Sequence, residues 1–258
     1  MELIFFTSPN GSCGASFCVA NIAKKLSDSG YSCLVADLRF RESVLDFYFG
    51  CSDGYIFNLS DVHMQRCKFE NTLVKNTNET GVDFVSSSPL ETGGKEMLQE
   101  IVSILRQQAV SYDYVLADVS FSDIGDFLSE SDRLVYVTDP QKATVDVLSR
   151  NIDSVAKGIN SFLIVNKVVP ELIAEGNAMN IDDICDKTGL RPLGIIPWEA
   201  EIPVYTNAGI LSVTDKKLLS SKVFWNIAER IKGNRVAPAD FDYKTLYYKK
   251  IKNITYRR

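Results

Sequence analysis

The residues best placed to do chemistry are Gly11, Ser12, Cys13, Gly14, Ala15 and Ser16. They form a small-residue loop between the apolar run Leu3-Ile4-Phe5-Phe6 and an amphipathic stretch with Phe17, Val19, Ile22, Ala23 and Leu26 on one face. Strand, glycine-rich loop and helix in that order aim backbone N–H groups and the positive end of a helix at one point, an arrangement suited to holding phosphate. Nucleotide-binding loops of this kind carry a lysine directly before their Ser or Thr, which sets charge against the β- and γ-phosphates. Here that position is Ala15, so the scaffold is present without its main cation.

Further polar residues stand at the ends of apolar runs, where a parallel sheet gathers its ligands. Asp37 follows 33–36, and Arg39 comes two residues later. Asp118 ends 114–118 and reads either as a metal-binding carboxylate or as a cap for the next element. Asn166-Lys167 follows a fourth run, with Asn166 either contacting a base or serving a strand-end turn. Pro197-Trp198-Glu199 follows a fifth, and Trp198 is either packing or a nucleobase wall. Arg39 reads first as a solvated arginine and second as a replacement cation. Cys13, beside a helix start, is either inert filler or a reactive thiolate. The six cysteines lack closely spaced pairs and His63 is the single histidine, which argues against zinc.

Seven apolar runs (3–6, 33–36, 82–86, 114–118, 134–138, 162–166, 193–196) read as strands, mostly without polar alternation, as buried parallel strands do. Between and after them, helical periodicity predicts helices at 17–29, 60–73, 95–109, 143–157, 181–188 and 215–232. The alternation predicts a doubly wound α/β domain over 1–232, a linker at 233–242 and a tail at 243–258. The chain of 258 residues has a net charge of −5. The tail holds Lys244, Lys249, Lys250, Lys252, Arg257 and Arg258 with no acid, so the rest carries −11, which argues against nucleic-acid binding by the body. Apolar residues recur in the tail at roughly helical spacing, which suits an anionic membrane or a partner surface; a disordered tail, or one lying on the acidic body, is the other reading. No run of 18 apolar residues and no secretory leader is evident, so the expected location is cytoplasmic, with membrane association through 243–258.

These segments together resemble the MinD/ParA family of P-loop ATPases, whose loop reads K-G-G-x-G-K-S/T, over 2–232. The stretches 55–62, 72–75 and 131–140 resemble it as well. The resemblance implies ATP and Mg²⁺ as cofactors and a homodimer paired through the face that carries the loop. Gly11, Ser12, Cys13, Gly14, Ala15, Ser16 and Phe17 would surround the phosphates, and Asn166, Pro197 and Glu199 the base. Ser16 and Asp118 would hold the metal, and Asp37 would be the catalytic carboxylate of an active enzyme. The chain departs from the pattern at three places: the cross-dimer lysine falls on Asn10, the loop lysine on Ala15 and, counted without gaps, the second aspartate of the switch on Arg39. Removing one charge-stabilising group commonly costs about 10²–10³ in rate, so little ATPase activity is expected. The expected role is a scaffold with a degenerate nucleotide site that positions a protein partner or machinery at the membrane or cell pole. A weak Mg-ATP-dependent switch is the alternative. Tyr243, Tyr247, Tyr248 and Tyr256 with 36–39 also resemble bacterial tyrosine kinases, against which Ala15 counts.

Overall fold

The computed structural model describes residues 1–40, 43–51, 55–87, 95–125, 127–155 and 158–237. The predicted tail and the end of the predicted linker lie outside them. In chain order the elements are β1 (Glu2–Thr7), α1 (Ala15–Asp28), β2 (Cys33–Asp37), α2 (Leu45–Tyr48), α3 (Leu59–His63), β3 (Val82–Ser86), α4 (Lys95–Gln108) and β4 (Tyr114–Asp118). Then come β5 (Arg133–Thr138), α5 (Lys142–Val155), β6 (Asn160–Val168), α6 (Pro170–Ala174), α7 (Ile181–Thr188), β7 (Arg191–Pro197), α8 (Ile202–Asn207) and α9 (Leu219–Ile231).

The strands form one parallel sheet in the order β3-β2-β4-β1-β5-β6-β7. Each strand splits its side chains between two cores, because neighbouring residues on a strand face opposite ways. Ile4 and Phe6 join Val35, Leu116, Val137 and Ile164 under α1 and α9, whose Ile22, Leu26, Phe224 and Ile227 are fully buried. Leu3 and Phe5 join Leu34, Val115, Tyr136 and Leu163 under α4, α5 and α7. Burial on both faces explains why the strands read as unbroken apolar runs. Asn21 of α1 is also fully buried, and the sequence pattern does not account for it. Its Nδ2 donates to the Phe17 carbonyl at 2.9 Å, and its Oδ1 accepts from Ser212 Oγ (3.2 Å) and Val213 N (3.1 Å), tying α1 to the segment that leads into α9.

Two helix expectations need correction. The helix predicted at 60–73 ends with α3 at His63: Gln65 takes a φ of 58°, and the Arg66 N–H closes back on the Asp61 carbonyl at 2.8 Å. The chain then turns so that Phe69 and Thr72 are buried in a short 3-10 turn, an outcome dictated by packing that satisfies the same apolar spacing. The final helix starts at Leu219 rather than at 215, because Asp215 is engaged by the Lys217 N–H and the Tyr205 hydroxyl, each at 2.8 Å. The short helices α2, α6 and α8 have 4, 5 and 6 residues, too few to show a period.

Candidate functional site

The loop after the central strand β1 is where the fold concentrates its polar groups. β4 lies on one side of β1, and β2 lies beyond β4, with Phe6 paired to Asp118 and Asp118 paired to Asp37. The two carboxylates therefore sit side by side next to the loop, both fully buried. The loop makes a 3-10 turn over Gly11–Cys13 and enters α1 through Gly14, whose φ of 89° is a left-handed conformation that glycine adopts without strain. A side chain at Gly14 would also collide with its neighbour, since a Cβ there would lie 2.6 Å from Asn166 Nδ2.

Asn166 and Lys167 hold the loop from β6. Asn166 Nδ2 donates to the Cys13 carbonyl at 2.8 Å, and Lys167 Nζ donates to the Ser12 carbonyl at 2.6 Å. β6 continues past them to Val168, with its register to β7 shifting between Val165 and Val168 and Lys167 at a φ of 57°. Asn166 is thus not a strand-end turn residue: its Nδ2 donates to the loop while the side chain also lines the cavity beside it. Lys167 had no assigned role in the sequence reading. Its position two residues after the apolar core of β6 gives no sign that it faces the loop.

Ser16 is buried at the start of α1 and donates a short hydrogen bond to Asp118 Oδ2. Asp118 Oδ1 has no hydrogen-bond partner among the described residues. Asp118 therefore does not act as a cap. Burial first, and the adjacent Asp37 second, push its acid up to about 7, opposed by the Ser16 hydroxyl and the Arg39 charge. A buried carboxylate with one oxygen on a hydroxyl and one without a protein partner fits a cation that itself carries phosphate oxygens. Ser16 and Asp118 are the residues that would hold Mg²⁺, which supplies charge neutralisation at the phosphates. Among the described residues no cluster of three or more His, Cys, Asp or Glu forms an all-protein metal site.

Asp37 is satisfied by its own loop. Oδ1 accepts from the Arg39 N–H at 3.0 Å, and Oδ2 accepts from Ser43 Oγ at 2.7 Å and from the Leu45 N–H at 3.3 Å. Burial pushes its pKa above the ordinary carboxylate value, and these three donors oppose the rise. Its geometry is that of an anchor for the loop between β2 and α2. Arg39 corrects the expectation of a solvated arginine: it is only 9 % exposed. Cys13 is inert, since burial, followed by Asp139, pushes its thiol up to about 11.

Beside the loop lies a cavity of about 340 Å³, within the size range of small-ligand pockets. Gly11, Ser12, Gly14 and Lys167 form its loop side, and Phe17, Tyr48, Pro197 and Trp198 contribute apolar surface. Trp198 is half exposed on this wall rather than packed inside. Glu199 points elsewhere: its two oxygens accept the N–H groups of Leu219 and Ser220, each at 2.8 Å, and so cap α9. Ala15 is almost fully buried within the core under α1. Asn10 is exposed and donates to Thr144 Oγ1 at 3.3 Å. Gly11, Ser12, Gly14, Phe17, Asn166 and Pro197 are brought together around the cavity, Ser16 and Asp118 next to it, and Glu199 is not part of it.

No family model matches the chain. The septum site-determining protein MinD of Helicobacter pylori is 24% identical over 267 residues, covering 98% of each chain. The fold is also that of solved structures. MinD in the MinC:MinD cell division protein complex of Aquifex aeolicus superposes with a TM-score of 0.79 at 24% identity, over 92% of this chain and 98% of that one. MinD of Pyrococcus horikoshii, solved as a complex with Mg-ADP, gives 0.72 at 19% identity, over 89% of this chain and 95% of that one.

Proposed function

We propose that this chain, which belongs to the MinD/ParA family of P-loop proteins, is a spatial organiser that holds a Mg-nucleotide with little turnover and recruits a protein partner to the membrane or cell pole. The observation that carries this reading is the pairing of Ser16 with Asp118, whose second oxygen has no partner among the described residues, beside a glycine-shaped loop that contains no lysine. The loop supplies backbone N–H groups, a helix N-terminus and a metal position, which suffice for binding. It lacks the cations that stabilise charge developing in the transition state, which turnover requires. Asp37 supports the same reading, because its three hydrogen bonds all go to its own loop, with both acceptor positions of Oδ2 taken by Ser43 and Leu45.

A homodimer through the loop face completes the proposal. Exposed apolar side chains adjoin the cavity-lining residues in sequence: Trp198 on the wall and Phe47 next to Tyr48 are close to half exposed, and Val204 next to Pro203 is 69% exposed. Among the described residues no helix is long and apolar enough to cross a membrane, so contact with lipid would fall to the basic segment 243–258.

The test is a calorimetric titration with Mg-ATP alongside sedimentation with and without nucleotide. Micromolar to submillimolar binding with hydrolysis near background supports an organiser; absence of binding at millimolar Mg-ATP removes the nucleotide from the reading. An Ala15→Lys variant checks the reason for slow turnover. A charged hydrogen bond contributes about 1.5–3 kcal/mol, so restoring lysine is expected to raise Mg-ATP affinity by roughly tenfold to a hundredfold. Unchanged affinity would mean that the loop has been remodelled rather than only stripped of charge.

A further inference from the structure

Helix α9 buries Val223, Phe224, Ile227 and Ile231 in the core beneath it and leaves Lys222 and Trp225 on its outer side, with Trp225 46% exposed. We propose that this outer side of α9, together with Lys216 and Lys217 just before the helix, lies against an anionic lipid surface. This rests on the membrane reading above and adds to it a contact made by the folded body itself.

Charge points to such a surface. The chain as a whole is acidic at −5, but residues 216–235 carry Lys216, Lys217, Lys222, Arg230, Lys232 and Arg235 against Glu229 alone. Glu229 is taken up by Lys232 and by Asn234 Nδ2 at 2.6 Å, so it does not offset the three lysines at the other end of the helix. Those three are exposed, and among the described residues none of their ammonium groups makes a hydrogen bond or ion pair. A fourth, Lys25 of α1, donates to the Val213 carbonyl at 3.0 Å. Burial first, opposed by Asp28, and then the like charges of Lys24 and Lys216 hold the Lys25 ammonium below its ordinary pKa. Crowded ammonium groups repel one another, and an anionic surface relieves that repulsion while attracting each group within a Debye length of it.

The tryptophan and the course of the chain point the same way. An indole has an apolar body and one polar N–H, and it settles where hydrocarbon meets a wet headgroup layer. Lys222 stands three residues before Trp225, hence on the same side of the helix. After α9 the chain doubles back along it. Arg230 Nε and Nη2 donate to the Val236 carbonyl at 3.2 and 3.0 Å, and Asn226 Nδ2 donates to the Ala237 carbonyl at 3.1 Å. The chain is thus fixed at Asn226, the residue next to Trp225. Only 238–242 separate that point from the basic segment 243–258, so the segment starts within about 20 Å of it. A basic segment lying on lipid therefore brings α9 close to the same surface.

The experiment mixes the full chain with vesicles of phosphatidylglycerol and phosphatidylcholine in equal parts and, separately, of phosphatidylcholine alone. Co-sedimentation reads binding, and bromine-labelled phosphatidylcholine in the same vesicles reads which tryptophan meets the lipid by quenching it. The chain has Trp198 and Trp225 only, so the unaltered protein on anionic vesicles is expected to lose about half of its emission. Trp225→Phe keeps an apolar ring and should still bind, but without that quenching. Lys216→Glu with Lys217→Glu changes two exposed side chains and is expected to weaken binding by about tenfold or more, with an unchanged melting point. Quenching that persists in Trp225→Phe, no quenching of the bound unaltered chain, or undiminished binding of the doubly reversed variant overturns the assignment and leaves 243–258 to hold the membrane alone. Equally tight binding to phosphatidylcholine alone overturns it too, since the lysines would then contribute nothing. An unaltered chain that binds neither vesicle removes the membrane reading, and this inference with it.

Discussion

Asp118→Asn is expected to lose the Mg²⁺ dependence of nucleotide binding while leaving the folded protein at least as stable as the unaltered chain at pH 8. The two effects have one cause. Asp118 is fully buried with an acid pushed up to about 7, chiefly by burial and then by Asp37, against an ordinary value near 3.8. Between about pH 4 and 7 the folded chain therefore binds a proton that the unfolded chain has released, and stability falls as pH rises through that window. Above it the folded protein carries an unfavourable buried charge that asparagine does not have. Asparagine retains an oxygen for the Ser16 hydroxyl but cannot neutralise a divalent cation. Replacing groups that support a bound metal commonly costs about 10–100-fold in affinity, and the loss here is expected at the upper end. Urea unfolding at pH 5.5 and 8, with titrations in Mg²⁺ and in EDTA, checks both halves. A variant that is markedly less stable at pH 8, or that keeps its Mg²⁺ stimulus, would refute this account of Asp118. The same protonation predicts that Mg-nucleotide affinity of the unaltered chain weakens as pH drops below 7, because the proton and the metal compete for one carboxylate.

Gly14→Ala is expected to destabilise the fold by about 2–4 kcal/mol and to abolish nucleotide binding, whereas Gly11→Ala should change stability by less than about 0.5 kcal/mol. At Gly14 two penalties combine. The φ of 89° is unfavourable for any residue with a Cβ, at about 1–2 kcal/mol. The new methyl would also lie 2.6 Å from Asn166 Nδ2. Asn166 is itself buried and donates to the Cys13 carbonyl at 2.8 Å, so moving it away strands a buried acceptor, at about 1–3 kcal/mol. At Gly11 a methyl meets only Arg39 Nη2 at 3.8 Å. For a domain of this size the Gly14 change corresponds to a melting point lower by roughly 5–15 °C. Equal melting points for the two variants would show that the loop is not held as described.

The layered fold was legible because its signal is local. All seven strands were recovered, with Val82–Ser86 and Tyr114–Asp118 at their observed ends, since a strand buried on both faces must be an apolar run whatever its neighbours. The helix at Ile181–Thr188 was likewise bounded by its own chain, with Asn180 capping Asp182 and Gly189 taking a left-handed conformation at the other end. The predicted helix at 60–73 failed because the turn at Gln65 serves the burial of Phe69, a long-range requirement that mimics helical spacing.

What the sequence by itself determined was the parallel α/β architecture, the strand–loop–helix with its glycine-rich turn, and the absence of lysine at Ala15. Periodicity and composition act over a few residues, so they are readable from a single chain. What only the tertiary structure decided was which polar groups meet: that Asp118 takes Ser16, that Asp37 spends its lone pairs on its own loop, that Glu199 caps α9, and that Arg39 lies buried against Gly11. Each of these depends on strand order and register, which bring residues tens of positions apart to within a few ångströms, and a polar side chain's role is set by the partner it meets there rather than by its own type.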